Sequence, residues 1–182
     1  MFPSQKISIL FAALAIVLLG ACGQQGPERG SLVVGDTAPD FTVVDMRGDR
    51  FSLRDWAGHP VILRFWSTDC QYCRADTPVF NDYYNKYKEQ GLPVVYLNTG
   101  ATAAEVTEFV RELAIPFPVV MDEGGRVAGL YRVKVVPQTI IIDPQQKIVA
   151  AILGGVGQAE LEELIGKYFE GTLKKEEGKN EG

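Results

Sequence analysis

The sequence predicts an α/β fold in which a mixed sheet is covered by helices on both faces. Strand-like apolar runs alternate with helix-like segments through the middle of the chain, a pattern typical of a sheet with helical crossovers. A hairpin and a final helix are expected near the end of the chain, which makes the sheet mixed. With 182 residues, of which 46% are hydrophobic, the chain is long enough for one domain with a sizeable core.

The first elements are a hairpin and a buried strand. Residues 41–45 and residues 50–53 have the composition of short strands, and the turn between them is centred on Gly48. Residues 61–66 form a mostly apolar run that indicates a buried strand.

Helices and strands then alternate. A helix is expected over residues 74–90, followed by a strand over residues 93–98. Thr102 and Glu105 have the spacing of a capping box, which predicts a helix over residues 102–114.

The last third of the chain completes the sheet. A short strand is predicted over residues 118–121, and a brief helix ends near residue 131. Residues 138–143 and residues 147–153 predict a hairpin, and a final helix covers residues 158–169.

Two cysteines, Cys70 and Cys73, lie between the predicted strand 61–66 and the predicted helix that follows it. Cysteines at this spacing form a small disulfide that opens and closes readily, and so suit electron transfer. A structural disulfide is the alternative, but closing so short a loop removes little entropy from the unfolded chain. The helix start favours negative charge, so the first sulfur should ionise more readily than a free thiol.

The same spacing also occurs in half of a zinc site. Such a site needs two more ligands, and the chain offers only Cys22 and His59 as further cysteine or histidine. We therefore predict no metal site. The net charge of -5 and the lack of a basic patch with interleaved aromatic residues predict that the protein does not bind nucleic acid.

The N-terminus predicts export. Lys6 is followed by an apolar run over residues 7–19, which is shorter than the about 20 residues that a membrane-spanning helix needs, and then by small residues. This pattern is a secretory signal. Residues 19–22 resemble the lipobox of bacterial lipoproteins, which implies cleavage before Cys22 and lipid attachment to that residue. An ordinary signal peptide with an incidental cysteine is the alternative.

The predicted domain organisation has four parts. Residues 1–21 are the lipoprotein signal peptide, and residues 22–33, which are polar and rich in glycine, form a flexible tether. Residues 34–173 are the folded domain. Residues 174–182 are charged and without apolar anchors, which predicts a disordered tail.

Four segments resemble the membrane-tethered thiol–disulfide oxidoreductases of the TlpA and ResA type. Residues 35–41 match the family pattern G-x-x-A-P-x-F, and residues 65–73 match F-W-x-x-x-C-x-x-C. Residues 136–139 resemble the family's cis-proline loop, and residues 102–122 resemble its central helical insert. The resemblance covers nearly all of the folded part and implies a thioredoxin-like fold.

The resemblance also implies roles for the site residues. Cys70 is expected to attack a substrate sulfur, and Cys73 to resolve the mixed disulfide. Pro137 is predicted to be cis and to face the two sulfurs, so that the backbone of Val136 can pair with an extended substrate segment. A plain trans turn proline is the alternative. Trp66 is expected to pack in the core with one edge toward the substrate site.

Asp76 lies one helical turn beyond Cys73. In ResA-like proteins an acidic residue at this position helps to move protons, and a partly buried carboxylate can accept the proton that Cys73 must lose. The alternative is an aspartate that is simply favoured near a helix start.

Two residues depart from related proteins. Thioredoxins have a buried acid where this chain has Arg64, and most relatives have tryptophan where it has Asp69. A lone buried charge is costly, so Arg64 should pair with Asp76 or Asp69, or else extend to solvent. Asp69 should oppose ionisation of Cys70.

The resulting hypothesis is a monomeric, lipid-anchored, extracytoplasmic bacterial enzyme that exchanges electrons with cysteines of exported proteins. The Cys70–Cys73 disulfide is its only redox group, with no further cofactor, and a membrane protein supplies its electrons. The resemblance implies reduction, with apocytochrome c as a candidate substrate, but an oxidase or isomerase is an open alternative.

A peroxiredoxin and a copper-delivery protein are two further alternatives. A peroxiredoxin needs a proline seven residues before its reactive cysteine. Here Leu63 stands seven residues before Cys70, and Trp66 seven residues before Cys73. Copper-delivery relatives space their cysteines by three residues and add a distal histidine, whereas here the spacing is two.

Overall fold

The computed structural model describes residues 32–169. The predicted signal peptide, the lipid site at Cys22, most of the tether and the charged tail lie outside these residues and stay predictions. Within residues 32–169, no helix combines the length and the apolar character needed to cross a membrane.

A five-stranded mixed sheet forms the centre of the fold, in the order β5-β4-β3-β6-β7. The central strand β3 is parallel to β4, which is parallel to β5. On its other side β3 is antiparallel to β6, which is antiparallel to β7. The strands are β3 (Val61–Trp66), β4 (Val94–Asn98), β5 (Val119–Met121), β6 (Gln138–Ile142) and β7 (Ile148–Leu153).

An N-terminal hairpin of two short antiparallel strands precedes this sheet, as the sequence predicts. Its strands are β1 (Thr42–Val44) and β2 (Arg50–Ser52). The helices are α1 (Gln71–Tyr87), α2 (Ala103–Glu112), α3 (Arg126–Leu130) and α4 (Gln158–Ile165). The capping box at the start of α2 is present, with reciprocal bonds between Thr102 and Glu105.

Side chains alternate across β3, so its two faces enter two separate core clusters. Ile62 and Trp66 pack with residues of α1, α2 and α4, whereas Leu63 and Phe65 pack with the hairpin and α3. All six residues of β3 are therefore buried. The predicted α/β, thioredoxin-like arrangement, a mixed sheet covered on both faces, is confirmed.

Candidate active site

The two cysteines form a disulfide at the start of α1. Their Cα atoms are 5.3 Å apart, and the Sγ atom of Cys70 accepts a hydrogen bond of 3.1 Å from the backbone N–H of Cys73. Cys73 is 1% exposed, whereas Cys70 is half-buried. Cys70 is thus the more exposed cysteine of the pair.

Helix α1 begins three residues earlier than the sequence predicts. Cys70 is its N-cap residue with an extended backbone, and the helix starts at Gln71 rather than at Arg74. The cysteine side chain takes the capping position that Ser or Asp usually fills, a substitution that propensity rules do not anticipate. As a consequence, Cys70 lies at the positive end of the helix dipole.

The peptide bond between Val136 and Pro137 is cis, as predicted. Strand β6 begins at the next residue, and Gln138 pairs with Phe65 near the carboxyl end of β3. Val136 and Asp69 line the same cleft of about 370 Å³. The loop before β6 therefore lies beside the residues that lead into Cys70.

Arg64 pairs with Asp76, one of the two acids that the sequence offered. The guanidinium is 0% exposed and the carboxylate side chain 10% exposed, and Nη2 of the arginine donates to Oδ2 of the aspartate. Asp69 is not involved, because it is exposed and its carboxylate accepts a 2.6 Å hydrogen bond from Ser67. The predicted pairing is confirmed and the choice of acid is settled.

The segment after β7 completes the surroundings of Asp76. The backbone N–H of Val156 donates to Oδ2 of Asp76 at 3.1 Å, and the carbonyl of Gly154 accepts from Arg64 at 3.0 Å. Gly154 has a φ of +105°, a conformation that favours glycine. The glycine therefore lets the chain turn so that both groups face the ion pair.

Burial raises the pKa of Asp76 above its ordinary value. The charge of Arg64 and the N–H of Val156 act in the opposite direction and limit the rise. Burial likewise lowers the pKa of Arg64, which Asp76 counteracts. A carboxyl group with a raised pKa can both take and release a proton closer to neutral pH than an exposed one.

Trp66 lies in the core, as expected, but no edge of its ring is left open toward the substrate site. Its side chain is 0% exposed, and its ring packs on Phe109 with centroids 4.3 Å apart. The reason is that α2, which contributes Phe109, packs on this face of the sheet. The expected substrate-facing edge is therefore corrected: Trp66 belongs to the core cluster that also contains Cys73.

Sequence reasoning missed the contacts that Thr139, Gly154 and Val156 make with the ion pair. The hydroxyl of Thr139 accepts a 2.6 Å hydrogen bond from Arg64. The adjacent glycines at 154 and 155 signal a turn in the sequence, but nothing there reveals which side chain that turn would contact.

The described residues contain no group of three or more histidine, cysteine or acidic side chains placed to hold a metal ion. The chemistry that the arrangement offers comes from a disulfide at a helix start, a buried ion pair whose aspartate lies one helical turn further along α1, and the half-buried Val136 in the loop before β6.

Comparison with known proteins agrees with this geometry. The AhpC/TSA family model matches residues 34–151. The thiol-disulfide oxidoreductase ResA of a Bacillus cereus strain is 34% identical over 169 residues, which cover 90% of this chain and 98% of the relative.

Solved structures are also similar. A Chlorobium tepidum protein described as a thiol:disulfide interchange protein DsbE is 33% identical, with a TM-score of 0.70 over 76% of this chain and 99% of that one. A thiol:disulfide interchange protein from Bacteroides sp. is 29% identical, with a TM-score of 0.66 over 78% and 96% of the two chains.

Proposed function

The chain belongs to the AhpC/TSA family and, within it, to the ResA-like thiol–disulfide oxidoreductases, and we propose that it reduces disulfides of exported proteins through Cys70 and Cys73. The observation that carries the proposal is the asymmetry of the pair: Cys70 is half-buried at a helix N-cap, whereas Cys73 is almost completely buried.

The reaction begins with the reduced protein. The thiolate of Cys70 attacks one sulfur of a substrate disulfide, forms a mixed disulfide and releases the other substrate sulfur as a thiolate. The helix N-terminus stabilises the attacking thiolate. Asp69 precedes it and partly offsets this effect, since its negative charge opposes ionisation.

The second step releases the substrate. Cys73 gives up its proton to Asp76, and its thiolate attacks the sulfur of Cys70. The bond between Cys70 and the substrate breaks, and the electron pair leaves on the substrate sulfur. The substrate gains two electrons in total, and the protein ends with the Cys70–Cys73 disulfide. A buried thiol needs such a proton acceptor more than an exposed one.

The substrate segment binds in extended form along Val136, with Pro137 fixing the shape of the loop. The cleft that Val136 shares with Asp69 supports this role, because it brings the platform next to the approach to Cys70. Trp66 acts indirectly, through packing.

We further propose that the protein works outside the cytoplasm as a monomer, anchored by lipid on Cys22. A membrane dithiol protein then reduces the Cys70–Cys73 disulfide after each cycle. The resemblance to ResA-type proteins supports apocytochrome c as the substrate, since its haem-binding cysteines must be reduced before haem attaches.

Redox equilibration tests the direction of electron flow. The protein is equilibrated with mixtures of reduced and oxidised glutathione, and its thiols are counted by mass tagging. A reductant should have a potential near that of thioredoxin, about −270 mV, whereas an oxidase should lie near DsbA, about −120 mV. The difference corresponds to about 7 kcal/mol. A value at the oxidising end would contradict the proposed reduction and favour the oxidase alternative.

A further inference from the structure

Arg64 occupies an unusual place for a charged residue. It lies in the middle of the central strand, and it is 0% exposed. Its neighbours on the same face of the strand, Ile62 and Trp66, belong to the hydrophobic core. Burying a charge there costs free energy unless good geometry and additional hydrogen bonds compensate.

The guanidinium makes contacts on three sides. Nη2 donates to Oδ2 of Asp76, and Nη1 donates to the hydroxyl of Thr139 at 2.6 Å and to the carbonyl of Gly154 at 3.0 Å. Its central carbon lies 5.0 Å from the ring centroid of Phe80. One side chain therefore links α1, β6 and the segment after β7.

Two of these contacts lead to the cis-proline loop. Thr139 follows Pro137 by two residues on β6, and the N–H of Gly154 donates a 2.9 Å hydrogen bond to the carbonyl of Pro137. The proposed proton acceptor and the proposed substrate platform are thus connected through a single buried residue.

The contacts also distinguish the two oxygens of Asp76. Oδ2 accepts from both Arg64 and the N–H of Val156. Oδ1 is buried and has no hydrogen-bond partner among the described residues. The oxygen that remains available for a proton is therefore Oδ1, and Asp76 follows Cys73 by one turn on the same face of α1.

We propose that Arg64 is a positioning residue for thiol–disulfide exchange: it fixes Oδ2 of Asp76, leaves Oδ1 to accept the Cys73 proton, and ties this acceptor to the Val136–Pro137 platform. This inference rests on the proposed function, since it needs Cys73 to be the resolving thiol. The proton moves from Cys73 Sγ to Asp76 Oδ1, and no further reactant is required.

Among residues 32–169, few other titratable groups act on Asp76. Arg64 faces it from β3, Tyr96 interacts with it from β4, and Cys73 precedes it on α1. The segment after β7 contributes the N–H of Val156. Burial raises the pKa of Tyr96, which therefore stays neutral at working pH. The charge of Arg64 is thus the main local influence that favours the carboxylate.

The test follows the resolving step by itself. Reduced protein is mixed with one equivalent of dithionitrobenzoate, and the second release of thionitrobenzoate reports the attack of Cys73 on Cys70. The wild-type rate should rise with pH as Asp76 loses its proton. In Arg64→Met the midpoint of this rise should move to a pH at least one unit higher. At a pH below the midpoints of both proteins, the resolving rate of the variant should therefore be about tenfold lower than that of the wild type.

Conservative and matched variants separate positioning from mere packing. Arg64→Lys keeps the positive charge, so the midpoint at which the resolving rate rises with pH should return toward its wild-type value. Arg54→Gln removes an exposed arginine that pairs with Asp40, and should change nothing. Arg64→Gln provides a second neutral variant if Arg64→Met does not fold. Thr139→Val removes one acceptor of Arg64 Nη1 on β6 and should raise KM for a disulfide-bonded peptide.

The outcomes are distinguishable. If Asp76→Asn abolishes the pH-dependent rise while the neutral variants at Arg64 leave it in place, the positioning role is wrong and the proposed function stands. If the second release persists after Cys73→Ser, the proposed function itself is wrong.

Discussion

The guanidinium of Arg64 and the carboxylate of Asp76 form a buried ion pair, and Asp76 follows Cys73 by one turn of α1. One partner comes from the central strand and the other from the helix that begins at the active-site disulfide. The pair thus joins the rigid centre of the sheet to the reacting end of α1. Its energetics and its protonation can both be tested.

Breaking the pair should cost far more stability than replacing it. Arg64→Met or Asp76→Leu alone leaves an uncompensated buried charge, and each should lower the free energy of unfolding by about 3–5 kcal/mol. The double variant removes both charges and should recover most of this loss. Urea unfolding of the four proteins measures the coupling. Additive losses would show that the two residues do not stabilise each other.

The stability of the protein should decrease with rising pH in a window set by Asp76. Its pKa is raised in the folded state, so the folded protein holds a proton that the unfolded chain has already lost. The stabilisation is complete below the unfolded pKa of about 4 and is lost as pH rises through the folded pKa, with a slope of at most about 1.4 kcal/mol per pH unit. Asp76→Asn should lack the part of the pH dependence that comes from Asp76, although its free energy of unfolding should be lower than the wild-type value at every pH. Parallel slopes in the two proteins would contradict the raised pKa.

Gly154 should resist substitution. Gly154→Ala forces a side chain into a left-handed backbone conformation with a φ of +105°, which costs about 1 kcal/mol or more. It should also slow the resolving step, because the same turn presents Gly154 and Val156 to the ion pair. Gly129→Ala is the matched control inside α3, where the added methyl group meets no atom within 4 Å. That change should stabilise the protein by about 0.5–1 kcal/mol. Thermal unfolding and exchange kinetics of both variants decide the point.

Trp66 should matter for stability more than for substrate affinity. Trp66→Phe leaves space beside Phe109 and should lower the free energy of unfolding by about 1–3 kcal/mol. Because the ring is fully buried, KM for a disulfide-bonded peptide should stay within twofold of the wild-type value, on the order of 0.4 kcal/mol. A large rise in KM with unchanged stability would restore the tryptophan as a substrate contact.

The fold is largely predictable from the sequence because its signals are local. Residues 61–66 indicate a buried strand, and Thr102 with Glu105 marks a helix start that the structure reproduces. The helix start at Gln71 escapes prediction because a cysteine caps it, which is rare chemistry for that position.

The candidate site is predictable only in part, since its remaining components depend on long-range packing. The sequence narrows the partner of Arg64 to Asp76 and Asp69, and only the helix orientation selects Asp76. Val156 contacts Asp76 across 80 residues of sequence, and no local pattern encodes that meeting. The burial of Trp66 likewise depends on where α2 packs.

Trapping of mixed disulfides shows directly whether Cys70 attacks the substrate and Cys73 resolves the mixed disulfide. Reduced Cys73→Ser and Cys70→Ser proteins are incubated with a disulfide-bonded peptide, and the adducts are measured by mass spectrometry. We predict that Cys73→Ser accumulates a stable adduct on Cys70, while Cys70→Ser, whose remaining thiol is 1% exposed in the oxidised wild type, forms almost none. An adduct that forms mainly on Cys73 would contradict this assignment.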